Sequence, residues 1–440
     1  MAFAAVSSAF AGGLLTNTNQ NAAFVRNFAQ EGKIDLTSIY ANPAGGAFLE
    51  NGWHLSLNSQ TAFQQRNIET TFPLFQFNTE NPSITHRFEG QATAPVVPSF
   101  TVSYNKDKWS LSAHFAISGG GGKCEFDKGL GSFEAAYAGV LYQMAPTLLP
   151  PGVQFQGYTL NSFMRGKSYH FGLQIGGTYK FTDNIAGFVG VRGLYATANY
   201  NGAVNPIAST NMGKVPLSNY GIDLNCDQTG IGAAIILGVD WKINDKWNVS
   251  AKYESPTRLN LKNKSEIIVV EDLVKEKAAS ILSQFEDGKK IREDVPALLA
   301  LGAQYSPIEK VRIDAAYHQF FDKVSTKFLN KEDLISHNTH EFLLGAEFDI
   351  CKLITISGSW QNTQYGMDDE FMNDLSFNLS NNMIGGGVRV NATKRFSIDL
   401  GYMCTFYNKR EVTTQTATGP KTDLYERKNH TFGIGVNFDF

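Results

Sequence analysis

From Trp53 onward, apolar and polar residues alternate along most of the chain. Phe396, Ile398, Leu400, Tyr402, Cys404 and Phe406 alternate with Ser397, Asp399, Gly401, Met403 and Thr405. Tyr169, Phe171, Leu173 and Ile175 do so against His170, Gly172, Gln174 and Gly176, and the chain closes on Phe432, Ile434, Val436, Phe438 and Phe440. A period of two puts alternate side chains on opposite faces of a strand. One face is therefore apolar and the other polar or glycine. Fourteen such segments lie near 52–66, 88–104, 109–117, 164–180, 185–199, 228–241, 247–258, 293–306, 311–320, 337–348, 354–364, 380–390, 396–406 and 429–440. Most have the roughly 9–11 residues with which a tilted strand crosses a bilayer, or a few more.

The connections alternate too. NKDK (105–108), FTDN (181–184), KINDK (242–246), PIEK (307–310), DICKL (349–353) and NATKR (391–395) are short turns. Between them fall long connections at 67–87, 118–163, 200–227, 259–292, 321–336, 365–379 and 407–428. Short turns on one side, long loops on the other and both termini on the short-turn side describe an even-stranded outer-membrane barrel. Trp53, Trp109, Trp241, Trp247, Phe396 and Phe440 stand at strand ends, where such barrels carry aromatic girdles.

Composition agrees. Charged residues are 18% of the chain, below the quarter usual in soluble domains, while 32 Phe and 17 Tyr favour sheet. No run approaches the roughly 18 apolar residues of a spanning helix, so a membrane location requires strands. A net charge of -3 with scattered Lys and Arg leaves no footprint for nucleic acid.

MAFAAVSSAFAGG resembles the end of a secretory signal, with Ala9-Phe10-Ala11 before Gly12 but no basic region in front. Residues 1–11 are expected to be removed, with translation starting upstream of Met1; an ordinary apolar N-terminus is the alternative. Residues 12–48 do not alternate and end in Asn42-Pro43-Ala44 followed by Gly-Gly-Ala-Phe. This segment, the fourteen strands after it, the loop alternation and the terminal Phe440 together resemble the FadL/TodX-type family of outer-membrane transporters for long-chain fatty acids and other hydrophobic molecules.

The resemblance implies that residues 12–48 are a hatch plugging the lumen and residues 49–440 the barrel. It also implies a gap in the wall at an inward kink of the third strand, through which an apolar substrate leaves sideways into the membrane. Gly119, Gly120, Gly121 and Gly122 lie at the outer end of that strand, where glycine weakens pairing and leaves no side chain to seal the wall. They form the gap or only begin a long loop. The Gly-Lys pair at the end of the run is not a phosphate loop, because Ile117 and Cys124 occupy places that need Gly and Ser or Thr.

The candidate substrate contacts are the hatch residues Phe24 and Phe28 and an apolar face of the 259–292 loop carrying Leu273, Ile281, Leu282 and Phe285. In the family, external loops form the first capture groove. The face collects substrate or packs onto the rim. Alternation points Arg192, Arg312 and Arg389 into the lumen, where Arg192 or Arg389 is a candidate for a carboxylate.

Enzyme chemistry finds little support. His337 and His340 are spaced i, i+3 beside Glu341, where a zinc protease needs i, i+4 on a helix. His114, His170 and His318 point inward, but no nucleophile is marked. Cys124, Cys226, Cys351 and Cys404 have no metal-ligand spacing; a Cys124–Cys226 bridge and free thiols are both compatible with it. The expectation is an all-β, 14-stranded antiparallel transmembrane barrel of the bacterial outer membrane, not an enzyme, monomeric, without metal or cofactor. It meets outer-membrane lipid and passively carries long-chain fatty acids or other hydrophobic molecules. The alternatives are an adhesion or binding barrel and, behind it, a barrel hydrolase.

Overall fold

A computed structural model describes residues 19–374 and 377–440. The expected signal remnant, residues 1–11, and residues 12–18 of the expected hatch lie outside the described residues. Fourteen wall strands follow one another in chain order. They are β1 Gly52–Thr71, β2 Thr85–Lys106, β3 Trp109–Phe126, β4 Phe155–Lys180, β5 Ile185–Thr210 and β6 Ile222–Lys242. Next come β7, Trp247–Glu254 resuming as Asn260–Val269, and β8, Lys290–Arg292 resuming as Leu298–Ile308. The wall continues with β9 Val311–Phe320, β10 Ile335–Asp349, β11 Ile354–Met367 and β12 Asn381–Val390. The last two are β13, Phe396–Tyr407 resuming as Arg410–Thr416, and β14, Gly419–Asp439. Each strand pairs antiparallel with the next, and β14 returns to β1 from His54–Asp439 to Thr71–Thr422. The sheet is closed and has no free edge, as a membrane-spanning sheet requires.

The alternation sets which way each side chain points. Leu173, Ile175, Val189, Val191, Ile235 and Leu237 are exposed on the outer wall. Their sequence neighbours Gln174, Arg192, Ala234 and Ile236 are buried in the lumen. Aromatic pairs mark the short-turn rim: Trp53 with Tyr104 at 4.8 Å, Trp247 with Tyr305 at 4.4 Å and Phe396 with Phe438 at 4.9 Å. The short turns hold themselves by local side-chain bonds. Thr182 Oγ1 accepts from the Ile185 N–H at 3.0 Å, and Asn244 Oδ1 from those of Lys246 and Trp247 at 2.9 and 3.0 Å.

Several strands outrun the alternating segments at their outer ends. β4 starts at Phe155 instead of 164, β5 runs to Thr210 instead of 199, and β3 runs to Phe126 instead of 117. Beyond the bilayer both faces of a hairpin meet water or other loops. The ladder continues there while the apolar-polar contrast fades.

Inside the ring lies the N-terminal segment, with α1 Ala22–Arg26 and 3-10 turns at Leu36–Ser38 and Ala44–Phe48. Asn21 caps α1, accepting the Ala23 N–H at 2.8 Å. The wall makes room for it with inward glycines. A Cβ would lie 2.3 Å from the Glu31 side chain at Gly302, 1.9 Å from Asn27 Oδ1 at Gly345, and 2.5 Å from the Phe28 ring at Gly385. Gly401 and Gly433 likewise face Val25.

Charge then fixes its position. Arg26 reaches Glu347 at 2.6 Å and Asp399 at 2.7 Å, Lys33 reaches Glu347 at 2.7 Å, and Asp35 receives Arg389 at 2.6 Å. On another side Asn42 Nδ2 donates to Asp240 Oδ2 at 2.5 Å, its Oδ1 accepts from Gly45, and Ala44 packs with Phe188 and Ile236. The Asn-Pro-Ala sequence thus turns the chain against β5 and β6. Buried ion pairs of this kind specify position more than they add net stability.

Candidate functional site

The ladder between β2 and β3 is interrupted. Ala92 pairs with Cys124, and the next pair is Ser99 with Ala116. Residues 93–98 of β2 and 117–123 of β3 make no pairs with each other across this stretch. β3 stays on its other neighbour, pairing Ile117 with Phe171, Gly119 with His170 and Gly122 with Ser168. Five steps on β3 (117 to 122) match three on β4 (171 to 168), so two extra residues bulge here.

Glycine makes that path accessible. Gly120 has φ +97° and a Cβ there would lie 2.4 Å from the Ser168 carbonyl oxygen, while Gly122 has φ +66°. Both angles are unfavourable for other residues. On the facing strand Pro95 and Pro98 have no N–H with which to close the ladder. The Pro95 carbonyl turns to Thr61 Oγ1 at 2.8 Å.

A cavity of about 160 Å³ adjoins this break from the lumen. Gln20 of the inner segment, Gln60 and Gln64 of β1, Val97, Ile117, Gly119, Gly120 and Gly122 of the broken wall, and Arg427 and Asn429 of β14 line it. A second chamber of about 60 Å³ lies nearby, between Phe24, Glu31 and Tyr40 of the inner segment and Arg192, Lys252, His318 and Leu298 of the opposite wall.

The outer mouth is filled by loops. Phe285, Met372, Phe377 and Leu379 come from external connections and join the inward Ile68, Phe88, Phe126, Tyr200 and Tyr425 in one apolar cluster. A second cluster packs α2, Gly131–Leu148, through Ala135, Ala138 and Leu141 onto Phe72, Phe75 and Tyr158. In the 259–292 connection α3 spans Asp272–Leu282. Val274, Ala278 and Phe285 there are buried and Leu282 is half-buried, so the described part of the apolar face is turned inward. The side chains of Leu273 and Ile281 lie outside the described residues.

The other candidates distribute as follows. Phe24 and Phe28 pack with Val25, Ala29, Leu343, Met383 and Met403 between the inner segment and the wall. Arg192 pairs with Glu254, bonds Gln174 at 2.8 Å and lies over the Tyr40 ring. Arg389 is shared by Asp35 and Asp399, and Arg312 by Glu347 and Asp349. These three luminal guanidiniums are thus engaged by the protein's own carboxylates. His318 bridges Glu31 and Glu341 at 2.8 Å each, and His114 meets Thr101 and the Tyr40 ring. His340 bonds the Tyr317 hydroxyl on the outer wall. No three potential metal ligands gather among the described residues, and all four cysteines are unpaired there.

Sequence reasoning missed Pro95 and Pro98. Two prolines three residues apart in the middle of an otherwise alternating segment were the available signal for a broken ladder. It also missed the inward glycines as the footprint of a luminal segment.

No family model matches the sequence, and no curated protein matches it. Solved structures do. A FadL homologue of Pseudomonas aeruginosa superposes over 99% of each chain with a TM-score of 0.68 and 14% identity. The Pseudomonas putida toluene transporter TodX gives a TM-score of 0.58 at 11% identity, covering 96% of this chain and 98% of that one. The Ralstonia pickettii toluene transporter TbuX gives 0.57 at 12%, covering 92% and 94%. The chain therefore has the fold of the FadL and TodX outer-membrane β-barrels, fourteen antiparallel strands closed around their lumen.

Proposed function

We propose that the protein is a passive outer-membrane channel for hydrophobic small molecules, long-chain fatty acids or similar lipophilic compounds among them. The observation that carries this reading is the unpaired β2–β3 stretch with a luminal cavity directly behind it. A water-filled pore for polar solutes needs a through path and an intact wall. Here the lumen is occupied by the N-terminal segment, and the β2–β3 ladder opens beside a luminal cavity. The names of the similar folds, a FadL homologue and two toluene transporters, support the same class of cargo.

In this reading residues 12–48 act as a hatch that denies a straight aqueous route, while residues 49–440 provide the wall. A hydrophobic molecule is taken up among the apolar loops, where Leu282 and Phe285 lie, passes to the cavity beside Gln20, and leaves between β2 and β3 past Gly119–Gly122. The hatch is bound on many sides, and the cavity and break lie beside it. Sideways exit therefore needs only small shifts of the segment, with no loss of its charge pairs. No step transforms the cargo, and the reading is of a transporter rather than an enzyme.

The test is uptake by cells lacking their own transporters of this kind. Expression of the chain should accelerate uptake of radiolabelled oleate or toluene over cells carrying an empty vector. No acceleration of either, with folded barrel at the surface, would sink the reading.

A further inference from the structure

The lipid-facing side of the wall carries a groove of about 470 Å³ across β12, β13, β14 and β1. Its floor is bare backbone at Gly386 and Gly387 of β12, Gly401 of β13 and Gly433 of β14. Three of these glycines are explained from inside the barrel. A Cβ at Gly387 would lie 2.7 Å from Arg26 Cβ, one at Gly401 2.9 Å from the Arg26 nitrogen, and one at Gly433 2.9 Å from Val25 Cγ2. Gly386 has no such reason. Its neighbours Gly385 and Gly387 face the inner segment, so it faces the bilayer, opposite Gly358 and Tyr402 in the ladders. A Cβ there would meet the Ser357 carbonyl oxygen at 3.1 Å and otherwise open space. Around this floor rise Val388, Leu400, Tyr402, Phe432 and Ile434, while Ser59 and Thr61 of β1 keep one edge low.

The same outward face of β14 turns polar two steps above the groove. His430 follows Phe432, with Nδ1 2.8 Å from the Tyr402 hydroxyl, and Lys428 follows His430. Lys428 is exposed between Gln65 of β1 and Phe406 of β13. The next residue on that face, Glu426, is taken by Lys409, and Lys428 forms no ion pair among the described residues. Depth fits this change. Lys428 stands eleven residues above Asp439 on the short-turn side. At about 3.3 Å per residue and a tilt of about 40° that is a climb of about 28 Å, just past an apolar band about 25 Å tall. The exposed rings of Phe63 and Phe406 beside it mark the outer interface.

We propose that this stripe is a binding site for one anionic lipid of the outer leaflet, its acyl chain in the groove and its phosphate head at Lys428. A groove within the apolar band is filled by hydrocarbon, because water there would find no polar partners. The volume lies within the roughly 300–1,000 Å³ of pockets that hold drug-sized molecules, and an acyl chain fits that space. Lys428 then selects among lipids, since a cation at the interface attracts an anionic head and is indifferent to a zwitterionic one. A second copy of the chain fits this face less well. A two-fold axis along the membrane normal through the groove would bring two Lys428 side chains together at one height. The site lies one strand from the wall break, since Ser59 pairs with Pro98 across β1 and β2. It stands independently of what the channel carries.

The experiment is native mass spectrometry of the full chain released from a non-ionic detergent, titrated with phosphatidylglycerol and with phosphatidylcholine of identical acyl chains. The wild type should hold one phosphatidylglycerol about fivefold more tightly than phosphatidylcholine. K428Q should remove that preference by weakening phosphatidylglycerol alone. S59L and G386L, which fill the groove, should weaken both lipids at least about threefold. A251L adds the same bulk to β7, where its ladder partners Val239 and Leu301 are exposed to lipid, and should change neither. Heat-modifiable gel mobility checks that each variant is a folded barrel, and S59L serves if G386L does not fold. Equal retention of the two lipids by the wild type, unchanged retention in S59L, or a loss in A251L as large as in S59L would each overturn the proposal. A lipid-free dimer that S59L dissociates would assign the face to a second copy and overturn it as well.

Discussion

Arg389 Nη1 lies 2.6 Å from Asp35 Oδ2, tying β12 to the inner segment across 354 residues of chain. The same guanidinium holds Asp399 at 2.9 Å, and Asp399 in turn receives Arg26 at 2.7 Å. Wall and segment therefore share one charge network. Asp35→Asn removes one anion from it while Arg389 keeps Asp399. Breaking a fully buried pair costs about 3–5 kcal/mol, and partial exposure of Asp35 lowers the expectation to about 1–3 kcal/mol. Urea unfolding of the barrel should show this loss, together with faster proteolysis of the inner segment. An unchanged midpoint and unchanged proteolysis would mean the bond does not hold the segment.

Acid should loosen the segment as well. Burial pushes the Asp35 and Glu31 carboxyls up, but Arg389 beside Asp35 and His318 beside Glu31 outweigh it and hold both below the ordinary carboxylate range. A group depressed in the folded state contributes stability that is complete above its unfolded value, about pH 4, and is lost as pH falls through the folded value. Conductance in planar bilayers should stay low from neutral pH down to about 4 and rise below it. A rise that begins near neutrality would contradict this assignment.

Glycines that face the segment should be intolerant, and those facing lipid tolerant. A Cβ at Gly345 would meet Asn27 Oδ1 at 1.9 Å, whereas one at Gly193 meets nothing within 4 Å. Gly345→Val should cost about 1–3 kcal/mol or expel the segment, raising conductance. Gly193→Val should be nearly neutral. Equal behaviour of the two variants would remove the close-packing argument.

The mouth can be reported by a thiol already present. Cys124 is buried in the cluster that Phe285 fills from above. Phe285→Ala removes a buried ring, a change worth about 3–5 kcal/mol in a packed core. Alkylation of Cys124 should be slow in the wild type and several-fold faster in this variant, read by mass spectrometry. Identical rates would place the access route elsewhere.

The alternation of Phe396–Phe406 or Tyr169–Tyr179 made the wall legible, because inner and outer faces contrast in every spanning segment. The short turns were equally plain. Less legible was whatever depended on a second strand. Gly119–Gly122 reads as a loop or a gap until Pro95 and Pro98 are known to lie across from it. Arg389 and Arg66 look alike in sequence, yet one has Asp35 and Asp399 and the other faces Arg427. The apolar residues of the 259–292 loop carry no mark of direction, and Val274, Ala278 and Phe285 turn inward. The outer extensions of β4 and β5 were hidden because hairpins in water need no apolar face.

The central claim is that hydrophobic cargo leaves through the β2–β3 break, and sealing that break tests it most directly. A variant with Gly119–Gly122 replaced by alternating Val and Thr, and with Pro95 and Pro98 replaced by Thr, gives β3 side chains that favour extended pairing and restores the two missing N–H donors on β2. Uptake of radiolabelled oleate and toluene is compared with wild type at matched surface expression of folded barrel. Uptake reduced to the empty-vector level for any compound the wild type carries is the result this account predicts. Uptake at the wild-type rate through a sealed wall would contradict it.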